Sequence, residues 1–127
     1  MRIDWSKYAN FKESEFVCRC GCGTVLVNPV LLDKLQQART LAGVPFVINS
    51  CYRCHFHNKS IGGSANSDHL TGDAVDIASI NSRHRFLTLR ALFAVGFNRI
   101  GLHDKFIHAG VGRSFGGANE EDVVWFY

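Results

Sequence analysis

Apolar residues recur at helical spacing in two places along this chain. After Asn28-Pro29, the residues Leu31, Leu32, Leu35, Ala38 and Leu41 fall on one side of a helix, while Asp33, Lys34, Gln36, Gln37 and Arg39 take the other. Asn28 can cap the first turn, Pro29 is tolerated within it, and Gly43 ends it. A second helix is predicted with Ser82 as its cap, Phe86, Leu89, Leu92, Phe93 and Val95 as its stripe, and Gly96 closing it. Arg83, Arg85 and Arg90 then face water.

Between and after these helices the period shortens. Pro45 to Ser50 is a continuous apolar run of the kind that makes a strand buried on both faces. Ala74 to Ala78 reads as a short strand in which Asp76 faces away from Val75 and Ile77. Asn98 to Leu102 and Lys105 to His108 read as strands of a tight hairpin joined at His103-Asp104, and Val123 to Tyr127 as a last strand. The segment from Met1 to Phe16, with Trp5, Tyr8, Phe11 and Phe16, reads as an irregular or briefly helical lead-in across the core. Asn58 to Asn66 and the glycine-rich stretch around Gly110 to Gly117 read as loops. Helices and strands are mixed without regular alternation. That favours an α+β fold, a small antiparallel sheet with helices packed on one side.

A length of 127 residues, 46% of them hydrophobic and ten of them Phe, suits a single domain over residues 1–127 with a real core. The formal charge of +3 is too small to argue for nucleic acid as a partner. Met1 to Lys7 carry no apolar segment of a signal peptide, and no stretch approaches the roughly 18 apolar residues of a membrane span, so no membrane insertion is expected. The five cysteines fall as Cys18-x-Cys20-x-Cys22 and Cys51-x-x-Cys54. Reduced thiols, one or two disulfides, and a second, structural zinc held by four thiolates all suit that pattern, and the odd count leaves a thiol outside any set of intramolecular disulfides.

The chemistry concentrates in Ser67-Asp-His-Leu-Thr-Gly-Asp-Ala-Val-Asp76. Imidazole and carboxylate are both good ligands for a borderline divalent ion, and a catalytic zinc site needs three such groups. His69 and Asp76 supply two if the chain doubles back between them, which Gly72 permits by taking a positive φ. A carboxylate in mid-strand between apolar residues is costly to bury unless something neutralises it.

The string Ser67-x-His69-x-x-Gly72-x-Ala74-x-Asp76 resembles the signature of zinc peptidases that cut peptidoglycan stem peptides, the D-alanyl-D-alanine carboxypeptidases and their phage endolysin relatives. These form one arm of the lysostaphin, D-Ala-D-Ala peptidase and sonic hedgehog grouping. Asn10 to Phe16, Ser50-x-Tyr52-Arg53-Cys54, Gly62-Gly63, Phe106-Ile107-His108 and Val124-Trp125-x-Tyr127 resemble the same family in the same order. The resemblance implies a hedgehog/D-Ala-D-Ala peptidase-like fold and zinc (Zn2+) held by His69, Asp76 and His108. It implies hydrolysis of bacterial peptidoglycan peptides by metal-activated water, as a carboxypeptidase or an endopeptidase. It further implies that Arg53 binds the substrate carboxylate; Ser67 is expected either to hydrogen-bond substrate or to brace the turn. Such a protein is expected to be a monomer, made in the cytoplasm and acting on the cell wall after release, or secreted if a signal has been removed.

One departure stands out. The family carries an acid three positions before the last histidine, and many members carry Asp two positions after it; here those places hold Lys105 and Gly110. Asp104 is the nearest acid and the candidate general base, with His103 as a substitute. Since one residue of shift in a strand flips the side chain, Asp104 serves only from a turn or a bulge. The alternative is a catalytically silent, metal-containing module that binds the wall or another partner on the same scaffold.

Overall fold

The computed structural model describes residues 2–127. Helix α1 spans Pro29–Ala42, α2 His55–Ser60 and α3 Ser82–Ala94; strands β1 to β5 span Ile48–Ser50, Ala74–Ala78, Arg99–Leu102, Phe106–Gly110 and Val123–Phe126. The fold is α+β. Two short 3-10 turns, Trp5–Lys7 and Glu13–Glu15, form the lead-in, and Phe11 and Phe16 from it are buried in the core.

The ends of α1 follow from its sequence: Asn28 accepts a hydrogen bond from the Val30 amide, Pro29 opens the first turn, and Gly43 takes a left-handed φ of 68°. Its inward stripe is Leu31, Leu32, Leu35, Ala38 and Ala42, and the expected Leu41 is exposed. Position 42, seven beyond Leu35, holds the buried face, and position 41 rotates off it. For α3 the expected stripe is also corrected. Phe86 and Phe93 are exposed, whereas His84, Thr88, Ala91 and Leu92 are buried. His84 can face inward because its Nε2 donates to the Pro45 carbonyl oxygen at 2.7 Å, whereas the Thr88 hydroxyl is buried without a hydrogen-bond partner. The cap is Asn81, which accepts from the His84 amide, and Ser82 is the first helical residue.

The sheet order is β1-β2-β4-β3-β5. Three of its four pairings are antiparallel, and β3 with β5 is parallel, so the sheet is mixed and not wholly antiparallel. The reason is the path of residues 111–122: Gly110 at the end of β4 and Val123 at the start of β5 both lie opposite Arg99. A chain that leaves and re-enters at one end of the sheet must run alongside β3 in its direction. The apolar run at Pro45 to Ser50 gives only the three residues of β1, an edge strand paired with β2 alone, with Val47 exposed between buried Phe46 and Ile48. The expectation of burial on both faces fails there. Among the described residues no helix is long and apolar enough to cross a membrane.

Alternation divides the sheet into two chemistries. Val75, Ile77, Ile100, Ile107 and Ala109 join Leu31, Leu32, Leu35 and Leu92 in one core. On the opposite face a row of cross-strand partners runs Ser50, Asp76, His108, Gly101, Trp125 from one edge of the sheet to the other. The 3-10 turn Asp68–Thr71 and Gly72, whose φ is 68°, deliver the chain into β2. A Cβ at Gly72 would lie 2.1 Å from the Leu26 carbonyl oxygen, and the Gly72 carbonyl itself accepts from the Asn28 amide at 2.9 Å. Gly72→Ala therefore combines a left-handed φ with a backbone clash. It is expected to cost on the order of 3 kcal/mol, read as a lowered urea midpoint at an unchanged slope.

Candidate metal centre

Asp76 on β2 and His108 on β4 are direct cross-strand partners, and the turn before β2 brings His69 to the same point. Asp76 Oδ1 lies 3.1 Å from His69 Nε2 and 3.3 Å from His108 Nδ1, and one donor atom from each residue falls within 4.8 Å of the others. Nitrogen and oxygen ligands about 2.0–2.1 Å from a tetrahedral zinc stand about 3.3–3.4 Å apart. The spacing found here is that of a ligand set. His69 and His108 are buried and Asp76 nearly so.

Each imidazole has its other nitrogen committed. His69 Nδ1 donates to the Cys51 carbonyl oxygen at 2.6 Å, and His108 Nε2 donates to Asp68 Oδ2 at 2.9 Å. These bonds fix the tautomers that leave Nε2 of His69 and Nδ1 of His108 as lone-pair donors toward the common point. The donor chemistry and geometry thus fit a zinc-like ion on His69, Asp76 and His108.

Asp68 is the residue that sequence reasoning missed. It is buried, accepts from Arg99 Nε at 3.1 and 2.9 Å through its two oxygens, and accepts from Asn119 Nδ2 at 2.6 Å. Its signal was present as a second acid beside a candidate ligand, but its partners come from β3 and the loop before β5, which only the fold brings near. Burial alone would raise the pKa of Asp68; bonds from His108, Asn119 and Arg99 outweigh it and lower it to about 2. In Asp76 burial is likewise outweighed, by His108 and then His69, and the carboxyl is held well below the usual range. Burial disfavours the imidazolium of His108, yet bonds to Asp68 and Asp76 prevail and its pKa is raised.

The three donors open into a cleft of about 420 Å³ whose lining includes Arg53, Ser67, Phe106, Trp125 and Tyr127. Gly101 makes room for one wall: a Cβ there would fall 2.6 Å from the Trp125 indole, whose ring lies 5.0 Å from that of His108. Arg53 Nη2 donates to Ser67 Oγ at 3.0 Å, and the Arg53 amide donates to the His69 carbonyl at 3.0 Å. Ser67 Oγ also accepts from the His69 amide at 3.2 Å, so this hydroxyl braces the turn as well as facing the cleft. Arg53 Nε is buried without a protein partner.

Asp104 stands elsewhere. The His103 amide donates to the Phe106 carbonyl at 3.0 Å, which makes Asp104-Lys105 the two-residue tip of the hairpin. There the Asp104 side chain is exposed and lies 2.8 Å from His103 Nδ1, while His103 stacks on Phe106. Asp104 thus stands in a turn, as its expected role requires, but at the exposed apex, and neither it nor His103 is among the residues lining the cleft. The acids lining the cleft are Asp68 and Asp76, both committed as described. His55 and His57 lie on α2, outside the lining.

Two imidazoles and one carboxylate with access from a cleft make a candidate metal site of the open kind rather than a closed structural one. The sequence profile of the Peptidase M15 family matches residues 9–110, most of the chain, and the protein belongs to that family. No curated protein gives a significant match. The matched span holds the whole ligand set and Arg53 and stops before β5, which supplies Trp125 to the cleft.

The role of Asp68 is open to test. Because its pKa is depressed from 3.8 to about 2, it contributes stability that is present above about pH 4 and is lost as pH falls toward 2. Asp68→Asn should lower stability at pH 7 by on the order of 2 kcal/mol. The gap to the parent should narrow in acid unfolding curves, and zinc affinity by competition titration should fall about 10–100-fold.

Proposed function

We propose that this protein is a zinc-dependent peptidase acting on the stem peptides of bacterial peptidoglycan. The observation that carries the reading is the spacing of three donor atoms from His69, Asp76 and His108 at the foot of a cleft, in a chain of the Peptidase M15 family. A zinc ion held there would polarise a peptide carbonyl and acidify water near neutral pH.

The chain's own residues supply binding and orientation. Arg53 sits in the cleft wall with Nη2 on Ser67 and a buried, unpaired Nε, an arrangement suited to a substrate carboxylate by paired, charge-assisted bonds. The aromatic wall of Phe106, Trp125 and Tyr127 suits the apolar parts of a peptide and excludes water from one side. Asp68 and Cys51 hold the two imidazoles in the tautomers that ligation requires. A carboxypeptidase and an endopeptidase would share these parts.

A second reading, a metal-containing module that binds wall peptide without cutting it, is favoured by one observation. Beyond Asp68 and Asp76, no described acidic side chain lines the cleft to receive a proton. Incubating the zinc-loaded protein with purified peptidoglycan and with a D-Ala-D-Ala-ended pentapeptide, then weighing the products, separates these possibilities. The peptidase reading expects released fragments, their loss in His69→Ala, and a rise in KM of about 10–100-fold in Arg53→Ala with kcat less affected. Intact substrate in the presence of fully metal-loaded protein would leave the binding module.

A further inference from the structure

Away from the cleft, the thiols of Cys18, Cys20, Cys22 and Cys54 gather in one place, with one Sγ from each within 4.8 Å of all the others. We propose that these four thiolates form a second, structural zinc site that bolts the N-terminal lead-in to the segment carrying Arg53. The inference is independent of the peptidase reading.

The distances favour an ion over simple proximity. Zn–S bonds of about 2.3 Å in a tetrahedron place sulfurs about 3.8 Å apart. Cys18 and Cys20 stand at 3.5 Å, Cys20 and Cys54 at 3.7 Å, and Cys18 and Cys54 at 3.8 Å. None of the four is joined in a disulfide. Cys20 and Cys22 are exposed, so burial in an apolar core does not account for their sulfurs gathering with those of Cys18 and Cys54.

The backbone supports the same arrangement. Gly21 and Gly23 have φ of 87° and 75° with open space where a Cβ would point, so it is conformation and not crowding that calls for glycine. These reversals let alternate residues, Cys18, Cys20 and Cys22, turn their sulfurs to one side. Cys18 Sγ accepts from the Cys54 amide and Cys54 Sγ from the His57 amide, both at 3.4 Å, as ligating thiolates commonly do from backbone N–H groups.

Cys54 is also the N-cap of α2 and follows Arg53 directly, while Cys51, three residues earlier, holds His69 through its carbonyl. Cys51 itself is buried and outside the cluster, which accounts for the odd cysteine. A metal on the four thiols would therefore tie the Cys54 end of the segment that orients His69 and places Arg53 to the Cys18–Cys22 stretch.

The test uses the full-length protein, purified under reducing conditions and loaded with zinc or with cobalt(II). Wild type is expected to bind two metal ions per chain, and the His69→Ala/His108→Ala variant one. That variant should keep the intense thiolate-to-cobalt charge-transfer bands, whereas Cys20→Ser/Cys22→Ser should lose them. In the zinc-loaded protein, alkylation followed by mass analysis should find the four thiols protected until a chelator is added. No metal bound to His69→Ala/His108→Ala, absence of charge-transfer bands from that variant, or an unreduced mass lighter by the hydrogens of one or two disulfides would each overturn the proposal, whether or not the cysteine variant folds.

Discussion

A carboxylate placed in the middle of a sheet, with an apolar neighbour on either side along its strand, is the constraint around which this structure is arranged. Asp76 cannot be buried as a bare charge at any tolerable cost. The cross-strand register sets His108 directly opposite, and the left-handed turn at Gly72 returns His69 to the third corner. The support continues outward, since His108 leans on Asp68, Asp68 on Arg99 and Asn119, and His69 on the Cys51 carbonyl. Elements from four parts of the chain are thereby tied to one carboxyl group.

Charge bears on which ligands the proposed site would favour. Asp68 and Arg99 neutralise each other, the two imidazoles are neutral when they ligate, and Asp76 carries one negative charge. With a divalent cation bound and Arg53 in the wall, the cleft is left with an excess of positive charge in a partly desolvated space. A peptide terminus or an acidic side chain answers that field; a cationic ligand does not.

Much of this was legible in the chain itself, and the misses have physical causes. The cap and stop of α1, the extent of β2 and the turn at Gly72 all follow from local chemistry that the sequence displays, as does the hairpin after β3, although its tip is Asp104-Lys105 and not the expected His103-Asp104. Periodicity misjudged α3 because two polar residues, His84 and Thr88, lie inward, and His84 finds its partner in the Pro45 carbonyl, 39 residues back in the chain. The helix α2 has no apolar stripe to announce it; Asn58, its buried residue, is held by a bond to the Ser64 carbonyl. Asp104 looked plausible by counting along the chain, but the hairpin tip turns it to solvent. Asp68 was invisible for the opposite reason, since what makes it matter is Arg99 on a strand that only folding brings alongside.

The placement of Asp76 and His108 on adjoining inner strands also bears on how the molecule reaches and keeps its native form. An ion that needs both donors has nothing to grip until β2 and β4 have zipped together, so it binds the finished sheet and ignores its fragments. Mass action would then transfer that affinity to the folded population: free zinc at a hundredfold excess over its dissociation constant would deepen the native well by about 2.7 kcal/mol. In such a protein, supply of the ion becomes a lever on lifetime and abundance as much as on chemistry.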